Sequence, residues 1–210
     1  MYYEKDYKDK LAFMYPDVLV RYEVPFDGVR ADAVAFTDPI TAFEIKSEHD
    51  DLTRLLNQVE TYFKVFTRVI ALVHETKASD AARILCDTPA GIWTMNKWKE
   101  IKVYEDGRIS DQYISHTSIY NVLRKPEREF LLRKYFGDLP DVGDFRHYKD
   151  RLERFQKIPK VDLIRDLGQF LKVRYEYEQY SGVPGNGDLV VKLMKHETEK
   201  GGDNARQEQR

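Results

Sequence analysis

The chain has 210 residues, a formal net charge of −2, 42% hydrophobic residues and 33% charged residues. That is enough to build one core-forming domain with an appendage, and no apolar run approaches the roughly 18 residues a membrane span requires. Cys86 is the only cysteine, which excludes an intrachain disulfide and a cysteine-based zinc site. The opening Met-Tyr-Tyr-Glu-Lys-Asp lacks the apolar segment of a signal peptide, so a cytoplasmic protein is expected.

In chain order, residues 4–14 read as a short helix stopped by Pro16. Residues 18–24 are β-branched and aromatic enough for a strand, and Pro25 with Asp27-Gly28 marks a turn. Residues 30–36 and 41–47 are two further strands joined by Thr37-Asp38-Pro39, a connection short enough for antiparallel pairing. Residues 50–66 read as a helix with an apolar stripe of Leu52, Leu55, Val59, Phe63 and Phe66. The run Arg-Val-Ile-Ala-Leu-Val at 68–73 suits a strand buried on both faces and parallel to its neighbour, reached by a right-handed crossover. A helix at 77–85 and strands at 91–95 and 101–104 complete this part.

After residue 117 the pattern turns helical, with helices over 118–136, 145–155 and 160–175 punctuated by Pro126, Pro140 and Pro159. The expected organisation is an α/β core over 1–117, a helical appendage over 118–180 packed on it, and a partly disordered tail over 181–210. Residues 1–123 sum to −5, residues 124–174 to +5 and residues 175–210 to −2. A basic segment docked beside an acidic site suits a polyanionic substrate.

The acidic site is the chemistry-bearing feature. Strand periodicity is two, so Glu44 and Lys46 project from one face of their strand, and Phe43 and Ile45 from the other. Asp32 on the preceding strand reaches the same cleft when the two strands pair. Two carboxylates, with the backbone carbonyl of Ile45, are oxygen donors suited to a hard cation such as Mg²⁺. Such an ion polarises a phosphate and acidifies water, while Lys46 orients the nucleophile and stabilises developing negative charge. Arg54, Gln58 and Tyr62 follow at i, i+4 and i+8, one helix face set away from Leu52, Leu55 and Val59. Arg30, on the Asp32 face, is a candidate phosphate contact. His49 and His74 lack metal-ligand spacing, and Trp93 and Trp98 read as core or edge packing rather than base-stacking platforms.

The order strand with Asp32, strand with Glu44-Ile-Lys46, helix, apolar strand resembles the core of the PD-(D/E)XK nuclease superfamily. Ala31 stands where the motif name has its proline. The stretch from Glu44 through Leu55, with Gln58 and Tyr62, is similar to a small bacterial and phage-encoded branch of it. The resemblance spans about residues 18–75. It implies a restriction-endonuclease-like mixed sheet flanked by helices. It also implies a Mg²⁺-dependent nuclease, with Mn²⁺ able to substitute, acting on DNA in a restriction, repair or mobile-element setting. In that reading Asp32, Glu44, Lys46 and Gln58 are catalytic, and Arg30, Arg54 and Tyr62 contact substrate. Asp32, Glu44 and the Ile45 carbonyl hold metal, and for the glutamate that some members add from a first helix or strand Glu23 is one candidate and Glu4 a weaker one. Two cuts in a duplex would call for a homodimer or a second site. The alternative is a catalytically silent chain of the same fold that binds nucleic acid or a host protein through its helical part.

Overall fold

The computed structural model describes residues 4–137, 146–182 and 190–194. Its elements are α1 (Glu4–Met14), β1 (Val20–Phe26), β2 (Val29–Ala35), β3 (Thr41–Lys46), α2 (Leu55–Phe63), β4 (Arg68–His74), α3 (Ala78–Leu85), β5 (Gly91–Met95), β6 (Ile101–Glu105), α4 (His116–Val122), α5 (Lys125–Phe136), α6 (Arg146–Phe155) and α7 (Lys160–Ser181). The chain divides into two compact units, Met1–Ile119 and Tyr120–Arg210. The class is mixed α/β, as the sequence implies.

In the first unit six strands form one sheet in the order β1-β2-β3-β4-β5-β6. β1, β2 and β3 pair antiparallel, β3, β4 and β5 pair parallel, and β6 returns antiparallel to β5. β1 and β2 meet through a two-residue turn in which Asp27 (φ 44°) and Gly28 (φ 81°) both lie in the left-handed region. This is the turn geometry that matches the twist of a hairpin, and it explains the Asp-Gly pair. Pro25 sits within β1, which is tolerated because β1 is an edge strand.

One sheet face presents Ala33, Ala35, Phe43, Ile45, Ile70, Leu72, Trp93 and Met95 and packs against Tyr7 and Leu11 of α1. Alternation sends Glu44 and Lys46 to the opposite face, under α2. Every residue of β3 is buried. That requires cover on both faces, and it is why this strand can hold charged groups out of water.

Three helix boundaries depart from the sequence reading. α2 starts at Leu55, not at residue 50. Asp50 Oδ2 instead accepts the Ser47 N–H (2.7 Å) and hydroxyl (2.6 Å), and Asp51 Oδ1 accepts the Thr53 N–H (2.9 Å). Such local side-chain bonds offer the backbone an alternative to the helix. The helix expected over 118–136 is two helices, α4 and α5. The break falls at Arg124, whose N–H donates to Glu127 Oε2 (2.8 Å) while Pro126 occupies the first turn of α5. α7 runs on to Ser181 and ends at Gly182, whose φ of 67° forms the left-handed cap.

The buried residues of the second unit include Leu131, Leu132, Phe155, Leu163, Leu167, Phe170 and Leu171. Glu127 and Arg174 are buried among them as an ion pair at 2.5 Å. Asp166, also buried, accepts from Lys134 Nζ (2.7 Å) and Tyr135 OH (2.8 Å). Residues 190–194 form a further helical turn. Of the tail expected to be partly disordered over 181–210, residues 183–189 and 195–210 lie outside the described residues.

Candidate active site on the third strand

Pairing register builds the site. Tyr22 pairs with Ala33 and Ala33 with Phe43, so the neighbouring residues Glu23, Asp32 and Glu44 fall in one row across β1, β2 and β3. Side chains in such a row share a face and stand about 5 Å apart. Register alone sets Asp32 beside Glu44, and Glu23 joins them from a position that does not pair.

The β2–β3 ladder ends at the Ala33–Phe43 pair. One step on, the Ile45 N–H would meet a β2 carbonyl, but it donates to Asp32 Oδ2 at 2.7 Å. The Asp32 carboxylate thus replaces a ladder hydrogen bond. The N–H and C=O of a strand residue lie on the same edge, so the Ile45 carbonyl also faces this opening. Burial, and then the charge of Glu44, push the Asp32 carboxyl up to about 7, against the Ile45 N–H, which favours the charged form.

Glu44 is almost fully enclosed. Its Oε1 accepts from Lys46 Nζ at 2.6 Å, and its Oε2 is in hydrogen-bond contact with Tyr62 OH. Lys46 Nζ also donates to Gln58 Oε1 at 2.9 Å. Each carboxylate oxygen has two lone pairs, so these partners leave Glu44 accepting capacity. Of this group, Asp32 and Gln58 are only half-buried, so they form its solvent-facing side.

Of the residues expected from sequence, Asp32, Glu44, Lys46 and Gln58 come together. Tyr62 does not lie on an exposed polar face, as its spacing suggests: it is 0% exposed, and its hydroxyl meets Glu44 and the Arg30 carbonyl (2.9 Å). Burial, and then the Glu44 charge, raise its pKa. The reason is that α2 lies close over β3, so the row that begins at Gln58 turns down onto the sheet. Arg54 stands exposed at the N-cap of α2. Arg30 Nε pairs with Glu23 Oε2 at 2.7 Å.

Glu23, Glu4 and Asp32 each bring a carboxylate oxygen within 4.8 Å of the others. Glu23 does so from a φ of 56°, a left-handed conformation inside a strand, at the one row where β1 and β2 do not pair. Such backbone is uncommon for a residue other than glycine and costs about 1–3 kcal/mol. Lys8 Nζ lies between Glu23 Oε1 (2.5 Å) and Glu4 Oε1 (2.6 Å), and its hydrogen bond holds the Glu23 carboxyl below its ordinary range. Sequence reading misses Lys8, because nothing in its helical spacing signals a partner fifteen residues away.

Carboxylate and carbonyl oxygens are the donors a hard divalent cation takes; among the described residues the carboxylates that lie mutually within 4.8 Å are those of Glu4, Glu23 and Asp32, a group that does not include Glu44. His74 Nδ1 is in hydrogen-bond contact with Thr76 Oγ1 at 2.9 Å. Among the described residues no helix is long and apolar enough to cross a membrane. In comparison with known proteins, the family model described as Bacteriophage P4 protein cII matches residues 15–183, a span that takes in the whole sheet and leaves out α1. Neither the curated proteins nor the solved structures gave a match.

Proposed function

This chain belongs to the Bacteriophage P4 protein cII family, and from that footing we propose that it is a metal-dependent nuclease hydrolysing phosphodiester bonds in DNA. The observation that carries the reading is the gathering of Asp32, Glu44 and Lys46. The lysine is 2.6 Å from Glu44, and the aspartate is pinned by the Ile45 amide at the end of a ladder. Opposite charges buried together carry a desolvation cost that apolar residues would avoid. A catalytic task is a reason to keep them.

The roles follow from position. Asp32, Glu44 and the Ile45 carbonyl would hold the cation, with Glu23 at the margin. A bound Mg²⁺ or Mn²⁺ supplies Lewis acidity toward a phosphate oxygen and acidifies water. Lys46, steered by Gln58, is aimed to orient the nucleophile and offset negative charge on the phosphate. Tyr62 fixes the Glu44 carboxylate from behind and does not reach substrate. Arg30 and Arg54 are the exposed cations available to the DNA backbone, Arg30 sharing its charge with Glu23.

The test is cleavage of single-stranded and duplex DNA by the full chain with Mg²⁺ or Mn²⁺. Glu44→Ala and Lys46→Ala should each abolish it. Cleavage retained in either variant refutes the assignment. Tight DNA binding with no turnover in any metal would instead favour a catalytically silent binding protein.

A further inference from the structure

Trp98 is 68% exposed, whereas Trp93 is buried in the apolar layer. The sequence reading places both in packing, and the structure sustains it for Trp93 alone. Trp98 sits on the β5–β6 turn, and the turn is built to hold it. Asn96 is buried, and its Oδ1 accepts the N–H groups of Trp98 (2.9 Å) and Glu100 (3.0 Å). Its Nδ2 donates to Glu100 Oε2 (2.8 Å), and its carbonyl accepts the Lys99 N–H (2.9 Å). Lys99 takes a φ of 61° to close the turn. A large aromatic ring is thus carried in water on a rigid mount.

Lys97 Nζ stands 4.5 Å over the ring centre. Lys99 Nζ pairs with Asp6 Oδ1 at 2.8 Å, which ties the turn to the first helical turn of α1. The turn also leaves the sheet at the end where the candidate active site lies. Lys46 shares a row with Val73 and Val73 with Thr94, and β5 ends one residue later. Two strand spacings separate β3 from β5, about 10 Å. A single strand, whose binding sites commonly span about 4–16 nucleotides, is long enough to reach both.

We propose that Trp98 is a stacking platform for a base of single-stranded nucleic acid, with Lys97 as its phosphate contact. The inference rests on the nuclease reading and narrows it to an unpaired strand led across the parallel-strand end of the sheet. Single strands are favoured over a duplex because their bases are free to lie on an aromatic face. An exposed ring under an ammonium suits a base and its phosphate together.

The experiment is titration of the full chain with a short oligothymidylate in chelator, followed by tryptophan fluorescence. With Trp93 buried, quenching reports on Trp98. Saturable quenching is expected, with a Kd that Trp98→Ala weakens on the order of 10-fold or more; Trp98→Phe should retain most of the affinity, measured by anisotropy of a labelled strand. An unchanged Kd in Trp98→Ala overturns the proposal. So does equal preference for a hairpin duplex, or an effect of Trp98→Ala on oligomeric state alone. Because chelator removes hydrolysis from the readout, Trp98-dependent binding without cleavage in Mg²⁺ would leave this inference standing and remove the nuclease reading.

Discussion

Asp32→Asn should make the metal-free protein more stable near neutral and alkaline pH, while removing a residue the proposed reaction needs. Asparagine keeps an oxygen to accept the Ile45 N–H and removes the charge. The Asp32 carboxyl stands at about 7 against an ordinary 3.8, because burial and then Glu44 disfavour its ionised form. Each tenfold change in proton affinity is about 1.4 kcal/mol, so ionising Asp32 in the folded chain costs up to about 4 kcal/mol. The expected gain is on the order of 1–4 kcal/mol. The raised folded pKa means that the favourable contribution of Asp32 is complete below its unfolded value. That contribution is lost as pH rises through about 7. The stability gap between variant and wild type should therefore be small at about pH 4, open between about pH 4 and 7, and stay level at about pH 8. Urea unfolding in chelator at these pH values measures it. A variant no more stable than wild type at about pH 8, or a gap independent of pH, would refute a penalty for ionising Asp32 in the folded chain. Adding Mg²⁺ should narrow the gap by stabilising wild type, by about 2.7 kcal/mol at a hundredfold excess over its Kd.

Tyr62→Phe leaves Glu44 Oε2 and the Arg30 carbonyl without their buried donor. It should lower stability by about 1–3 kcal/mol and slow cleavage, with oligonucleotide affinity in chelator unchanged. Unfolding and anisotropy measurements check the two halves separately, and unaltered stability would contradict the assigned contact. In the second unit, Arg174→Met strands the buried Glu127 carboxylate and should cost about 3–5 kcal/mol. Adding Glu127→Gln, which still accepts the Arg124 N–H, should restore more than half of that in a double-mutant cycle.

What the sequence discloses is the local periodicity. The alternation Phe43-Glu44-Ile45-Lys46 already separates an apolar face from a charged one, and the short 37–39 connection already implies that Asp32 lies beside Glu44. What it hides depends on tertiary register. Glu23 reaches the row through a left-handed backbone that no pattern of residue types announces. Glu4 and Lys8 arrive on a helix whose placement is set by Tyr7 and Leu11 packing on the far side of the sheet. Tyr62 is legible as a member of the Gln58 row, but its depth is not, because helical spacing does not say how close α2 stands to β3. The start of α2 departs from its pattern for a different reason: residues 50–53 are weak helix formers apart from Leu52, and the Asp50 and Asp51 side chains capture the backbone first. Trp98 hydropathy suggests burial, whereas the Asn96 turn lifts it clear.

Complete burial of β3 has a consequence for how this chain finds its structure. A slip of β3 by one residue against either neighbour would carry Glu44 and Lys46 into the layer of Tyr7 and Leu11, and would strand Phe43 and Ile45 beneath the polar row of α2. Misaligned arrangements are thus penalised twice, by charges sunk in hydrocarbon and by apolar groups set against hydrogen-bonding partners. The pair proposed for chemistry also acts as an alignment key for folding. An apolar replacement of both Glu44 and Lys46 would make the strand less able to tell its two sides apart.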